Sequence, residues 1–308
     1  MAIDIRAQLQ GSLGSGYRLS RELGGGGMAH VFVADDPELA HRVVVKVLSP
    51  DLSAGVDGER FKREIQLASS LHHPRIVPVL KAASAGDVLY YTMPFIEGDT
   101  LRALIAAGGE LPVERALALV RDVAEALVYA HGKNIVHRDV KPENILIERS
   151  TGRALVTDFG IARAIECAAD VQSVTTTGLT LGTPTYMSPE QAAAERHIDG
   201  RSDVYSLGCV FYELLSGLPP FAGPTARAVI ARHMTEPPPK VRIVRPDVSE
   251  DMQHVIERML AKAPAARFTA PRLLDALNGK MVPEADELIA ERRSTIREAT
   301  ARLFRLFR

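Results

Sequence analysis

Cysteine is scarce in this sequence: Cys167 and Cys209 are the only two in 308 residues. Two thiols cannot build a disulfide framework, which points to a reducing compartment. No run of about 18 apolar residues occurs, so nothing here reads as a membrane-spanning helix. The opening residues, MAIDIRAQLQ, lack the apolar centre of a secretory signal. An excess of either charge is missing too, with 37 Lys and Arg against 38 Asp and Glu. That balance argues against a chain devoted to nucleic acid. Internal repeats are absent. What is present is ordinary globular composition, 46% hydrophobic and 24% charged, which excludes disorder, collagen and coiled coil. The length allows one large domain or two lobes around a sizeable core. A soluble cytoplasmic protein is expected.

The texture of the chain changes near Gly98. Before it, the sequence reads as β-rich with one helix. Tyr17-Arg18-Leu19 leads through the glycines 24–27 into Val31-Phe32-Val33, a strand, turn and strand. Residues 43–48 are a β-branched run and hence a third strand. Phe61, Ile65, Ala68 and Leu71 fall at helical spacing. Val77 to Leu80 and Leu89 to Ile96 read as two further strands. After Gly98, Leu111-Pro112 opens a long amphipathic helix. Gly200 to Gly217 encloses a helix that is apolar almost all round and therefore belongs in a core. Residues 224–234, 250–262 and 269–278 are three more helical stretches. The divisions expected are an extension (1–16), a small lobe (17–97), a large lobe (98–279) and a tail (280–308).

Several patterns carry chemistry. Leu23 and the run Gly24, Gly25, Gly26, Gly27 sit between two strands. Glycines there let backbone N–H groups approach phosphate oxygens, although a plain hairpin turn uses the same residues. Lys46 lies mid-strand, on a face shared with Val44 and Leu48, where an unpaired ammonium is costly. It needs an anion, and Glu64 on the following helix is one candidate. Residues 135–146 set His137-Arg138-Asp139-Val140-Lys141-Pro142-Glu143-Asn144 between apolar pairs, and Asp158-Phe159-Gly160 follows fourteen residues after Asn144. Asp and Asn are hard oxygen ligands suited to Mg2+.

Taken in this order, the motifs resemble the protein kinases over residues 17–278, and more closely the bacterial eukaryotic-like Ser/Thr kinases. The resemblance implies an α+β, bilobal fold with a small β-rich lobe and a larger helical one. It implies ATP and Mg2+, with Mn2+ as an alternative. Lys46 would hold the α- and β-phosphates and pair with Glu64. Asp139 would orient the substrate hydroxyl, and Lys141 would steady the γ-phosphate. Asn144 and Asp158 would ligate the metal. Met93 would be the gatekeeper ahead of a hinge at Pro94-Phe95-Ile96, with Val31, Val44 and Leu146 against the adenine. Glu190 in Ser188-Pro189-Glu190 would pair with Arg267, and Asp203 would anchor the catalytic loop. Lys141 and Gly182-Thr183 resemble Ser/Thr-specific rather than Tyr-specific members. The chain departs from the family pattern at Ala29, Val44 and Ala263. A non-catalytic scaffold and a small-molecule phosphotransferase are the rival readings. The first fits poorly with intact Lys46, Asp139, Asn144 and Asp158, and the second with Ser188-Pro189-Glu190.

No charged residue lies between Asp170 and Glu190, where six threonines fall. A flexible polar loop is the plain reading. The resemblance makes it a switch, with Thr175, Thr177 and Thr180 as phosphosites and Arg138 as the phosphate's partner. Such a kinase phosphorylates protein substrates and itself, which also allows a homodimer. The tail 292–308 carries six arginines against Glu298, interleaved with Ile296, Leu303, Phe304, Leu306 and Phe307. It reads either as a solvated helix or as a segment drawn to an anionic membrane surface. In the second case the chain is the cytoplasmic part of a membrane-anchored kinase.

Overall fold

The computed structural model describes residues 5–13, 16–26, 29–36, 41–49, 53, 57–85, 88–159, 161 and 184–280. Gly27, Cys167, Thr175, Thr177, Thr180 and the arginine-rich tail lie outside them.

The small half begins with a helix that the sequence reading left unassigned, α1 (Ile5–Leu13). Ile5, Leu9 and Leu13 are four residues apart, and Leu9 and Leu13 are buried. Next come β1 (Arg18–Gly26), β2 (Ala29–Asp36), β3 (His41–Leu48), α2 (Gly58–Ala68), β4 (Lys81–Ala85) and β5 (Val88–Pro94). The five strands form an antiparallel sheet in the order β1-β2-β3-β5-β4. Alternation along β3 divides its side chains between two faces. Val43, Val45 and Val47 pack with Leu9, Leu13 and Phe32 beneath α1. Val44 joins Val77, Met93 and Leu155 on the opposite face. Helix α2 buries Phe61 and Ile65 against Leu48, Leu89 and Tyr91.

One expected strand is misplaced in the sequence reading. Residues 77–80 are not strand: Val77 donates its backbone N–H to Val156 O at 2.9 Å, and Ile76 bridges Val156. This stretch therefore ties the two halves together, and sheet pairing resumes only at Lys81 in β4. The strand expected to run to Ile96 ends at Pro94, with one more backbone bond from Phe95 N to Arg42 O at 3.1 Å.

The larger half opens with β6 (Gly98–Thr100), which pairs with β7 (Ile145–Glu148), itself paired with β8 (Ala154–Val156). A Cβ at residue 98 would lie 2.0 Å from Ile147 O. Only glycine lets the chain cross between the halves so close to β7. Thr100 then caps α3 (Leu101–Gly108) by accepting from Ala103 N at 3.1 Å. The remaining helices are α4 (Val113–Gly132), α5 (Pro189–Ala192), α6 (Arg201–Ser216), α7 (Ala226–Thr235), α8 (Glu250–Met259) and α9 (Ala270–Leu277). All three short C-terminal helices fall where the sequence places them. Helix α6 is buried from Ser202 to Leu215. Together with α4, it forms the centre of the main core, which also takes in Phe159, Phe221 and Leu273.

Because Leu9 is fully buried in the small half's own core, Leu9→Ala should lower folding stability by about 2–5 kcal/mol. Urea unfolding followed by circular dichroism measures this. A change below about 0.5 kcal/mol, the range of surface substitutions, would mean α1 is dispensable.

Candidate active site

A cleft of about 1600 Å³ lies between the two halves. Leu23, Gly24, Ala29 and Val31 line it from β1 and β2, Val44 and Lys46 from β3, and Met93, Pro94 and Ile96 from the crossing segment. Lys141, Asn144, Leu146 and Asp158 line it from the large half. Gly25 and Gly26 pair across the sheet with His30 and Ala29. The wall around Val44 and Met93 is apolar, with Val31, Phe95, Ile96 and Leu146 packed against it. A flat aromatic or heterocyclic group suits such an apolar wall, and Lys46, Lys141, Asn144 and Asp158 line the same cleft.

The loop from His137 to Asn144 is held from below by one carboxylate. Asp203, near the N-terminal end of α6 and fully buried, accepts the backbone N–H of His137 at Oδ2 and of Arg138 at Oδ1, both at 2.8 Å. His131 Nε2 donates to Oδ2 at 2.7 Å. A Cβ on Gly200 would strike the His131 ring at 2.4 Å, so a glycine makes room for that bond. Arg138 has φ +68°, a left-handed backbone that costs a non-glycine residue about 1–3 kcal/mol. Its carbonyl accepts from Gln191 Nε2 at 2.7 Å. His137 accepts from Asp139 N at Nδ1, 3.1 Å, and Nε2 therefore donates to Thr157 O at 2.7 Å. The buried ring thus links Asp139 to Thr157, the residue before Asp158.

Asp139 receives Lys141 Nζ at 2.7 Å and Asn144 Nδ2 at 2.9 Å, both on Oδ2. Asn144 Nδ2 also donates to Asp139 O at 2.8 Å. With its amide N–H groups engaged this way, Asn144 has its oxygen left for a cation. Thr157 N donates to Asn144 O at 2.9 Å, so the backbone ties Asn144 to the neighbour of Asp158.

Asp158 is buried and also left-handed, with φ +67°. Lys46 Nζ lies 2.5 Å from its Oδ2, and Tyr91 Oη donates to its Oδ1 at 2.5 Å. Burial alone would raise the pKa of this carboxyl, but the adjacent Lys46 charge and the bonds from Lys46 and Tyr91 hold it below the usual carboxylate range. Lys46 is paired with Asp158, and the pairing with Glu64 expected from the sequence concerns a side chain outside those described. Tyr91 has no motif around it. The signal that could have found it is strand register, since Tyr91 stands directly across from Lys46.

Three further ion pairs brace the site. Glu190 and Arg267 are both buried and meet in a two-pronged pair at 2.7 and 2.8 Å. Ser188 and Gln191 cap α5 reciprocally. On the outer side of the cleft, Arg102 donates to Glu143 and to Glu213 at 2.8 Å each. Tyr186 Oη bonds both Arg102 and Glu213. The sequence reading did not anticipate this cluster, whose members are far apart along the chain.

The structure thus has a sheet-roofed cleft over a loop anchored by a buried carboxylate. The protein kinase domain family matches residues 17–277, and the chain belongs to it. The serine/threonine-protein kinase PknB of Mycobacterium leprae is 42% identical over 284 residues, which cover 89% of this chain and 45% of that protein. PknJ of Mycobacterium bovis, also a serine/threonine-protein kinase, is 41% identical over 266 residues, covering 84% and 44%. Among solved structures, a Rad53 fragment in complex with AMP-PNP aligns with a TM-score of 0.70 at 26% identity, over 85% of this chain and 64% of that one. The fold is the bilobal kinase fold. The chain spans a little under half the length of the curated relatives it matches.

The Asp203 carboxyl generates a prediction about acid. Burial would raise its pKa, but the bond and charge of His131 and the N–H of His137 bring it below the ordinary value. A carboxyl depressed in the folded state stabilises the protein above its unfolded value, about 3.9, and that contribution is lost as pH falls through the lower folded value. Thermal melts should therefore show stability falling below about pH 4. In Asp203→Asn the stability at neutral pH should be lower and this acid limb shallower. An unchanged acid limb would sink this account of the anchor.

Proposed function

We propose that this chain transfers the γ-phosphoryl group of ATP to Ser and Thr hydroxyls of proteins. The observation that carries the reading is that Lys46, Lys141, Asn144 and Asp158 line one cleft with an apolar wall, with Asp139 bonded to Lys141 and Asn144. The names of the curated relatives support a protein Ser/Thr acceptor. The AMP-PNP in the Rad53 complex supports an ATP-type nucleotide.

The residues divide the work. Val31, Val44 and Leu146 enclose the base, beside Met93, Pro94 and Ile96, and the backbone around Gly24 covers the phosphates. Lys46 gives up Asp158 for the α- and β-phosphates. Phosphoryl transfer requires mainly alignment and positive charge near the equatorial oxygens. Lys141, held on Asp139, stands at the γ-phosphate for that purpose. The Asp139 carboxylate accepts the hydrogen bond of the incoming hydroxyl and then its proton. The oxygens of Asn144 and Asp158 are hard donors of the kind that Mg2+ takes, and Mn2+ fits the same pair. When bound there, the cation neutralises phosphate charge.

Regulation follows from the same loop. Phosphate on Thr175, Thr177 or Thr180 adds about −1.5 to −2 charges to an uncharged stretch and pairs with Arg138 next to the catalytic Asp139. The enzyme then activates itself, and two copies meeting in solution carry this out. The tail 292–308 rests on anionic membrane surfaces through its arginines.

Incubation with radiolabelled ATP and a generic protein acceptor tests the activity. Lys46→Met should lower transfer at least about a hundredfold with the fold intact. Near-normal turnover in that variant would exclude the assignment. A separate test addresses activation. Phosphatase treatment should return the enzyme to a slow state, and the double change Thr175→Ala with Thr177→Ala should leave it there. Mass spectrometry that finds no phosphate on residues 173–183 after incubation with ATP would refute the switch while leaving the transfer chemistry standing.

A further inference from the structure

The two donors on Asp158 are not equivalent. Lys46 and Tyr91 are cross-strand neighbours in β3 and β5, so both project from the same face of the sheet. Lys46 reaches Oδ2 with a flexible four-carbon stem and borders the cleft. Tyr91 reaches Oδ1 with a rigid ring that is 1% exposed and wedged among Leu48, Phe61, Ile65 and Ile161. An ammonium on a long stem can swing to a phosphate. A phenol whose ring fills a close-packed cluster cannot follow it. One oxygen of Asp158 can therefore be uncovered, and the other stays capped.

We infer that Tyr91 is a positioning residue that restricts Asp158 to one-oxygen ligation and thereby selects a small octahedral cation over a larger one. The inference rests on the reading that Asp158 ligates the metal. A carboxylate with both oxygens open can grip a cation with the pair, which suits the larger and irregular shell of Ca2+. A carboxylate with one oxygen held by an O–H donor is poorly placed to grip a cation with both oxygens and is left to ligate through the other. That suits Mg2+, whose shell is nearly ideal and usually completed by water. The left-handed backbone at Asp158 works in the same direction. It fixes the Cα–Cβ bond, and Tyr91 then sets the remaining rotation of the carboxylate plane.

The test uses the full chain saturated with a fluorescent ADP analogue, into which Mg2+ or Ca2+ is titrated. Metal affinity is read from the fluorescence change and, independently, by calorimetry. Tyr91→Phe keeps the ring and removes the oxygen. Its ratio of Ca2+ to Mg2+ dissociation constants should fall by about tenfold, the scale of one hydrogen bond to a charged group. Tyr91→Leu, which alters the packing as well, should move the ratio in the same direction. Loss of packing alone would weaken both cations alike and leave the ratio fixed. Asp158→Asn serves as the reference for the underlying reading. If Asp158→Asn abolishes metal binding while both Tyr91 variants keep the parent ratio, the selectivity role of Tyr91 is overturned and the ligand assignment survives. If Asp158→Asn binds both cations as the parent does, the ligand assignment fails and the role of Tyr91 fails with it.

Discussion

The chemistry of the cleft depends on a carboxylate that never reaches it. Asp203 lies within the large half, accepts two successive backbone N–H groups at 2.8 Å, and takes a third bond from His131. Hydrogen bonds to a charged group contribute about 1.5–3 kcal/mol each. Two of them outweigh the cost of a left-handed Arg138, about 1–3 kcal/mol. A relaxed loop at that point would rotate Asp139 and Lys141 out of register with Asn144. The buried ion therefore converts folding energy of the helical core into the placement of a group several residues away. Its own desolvation is offset by three short bonds, from His131 and from the backbone of His137 and Arg138.

A second strained residue, Asp158, sits opposite. Among the described residues only four non-glycines have positive φ, and two of them are Arg138 and Asp158. Both belong to segments that flank the reacting groups, where strain is held by surrounding structure. The means differ. Arg138 is restrained through its backbone by α6 and Gln191, whereas Asp158 is restrained through its side chain by Lys46 and Tyr91 from the small half. The first arrangement is internal to one lobe. The second spans both, so it couples the position of the sheet to the orientation of a cleft carboxylate.

What could be read from the sequence follows contiguity. His137 to Asn144 and Asp158-Phe159-Gly160 are compact motifs, and Lys141, Asn144 and Asp158 from them line the cleft. The core helix between Gly200 and Gly217 was legible because it has no polar face. The Glu190–Arg267 pair and the Asp203 anchor are 77 and 66 residues apart along the chain from the groups they bind, and came only with the family resemblance. Tyr91 and Arg102 belong to no motif and act through partners that only folding supplies. The strand assigned to 77–80 failed for a related reason: Val77 and Val79 look β-branched and alternating, yet the backbone of Val77 pairs with Val156 across the molecule. Helices α1 and α3 carried visible spacings, Leu9 with Leu13 and Leu101 with Ile105. Both are short, and short apolar periodicities are easily overlooked beside longer ones.

Helix α1 has a bearing on how this lobe meets other molecules. It lies before residue 17, where the family match begins, yet it roofs the outer face of the five-stranded sheet through Leu9 and Leu13. A chain trimmed to the matched span would present Val43, Val45, Val47 and Tyr90 to water as one contiguous greasy surface. Surfaces of that kind bring proteins together. Self-association seen with such a trimmed lobe would then report the missing helix, and the intact chain would be the proper starting point for asking whether two copies recognise each other.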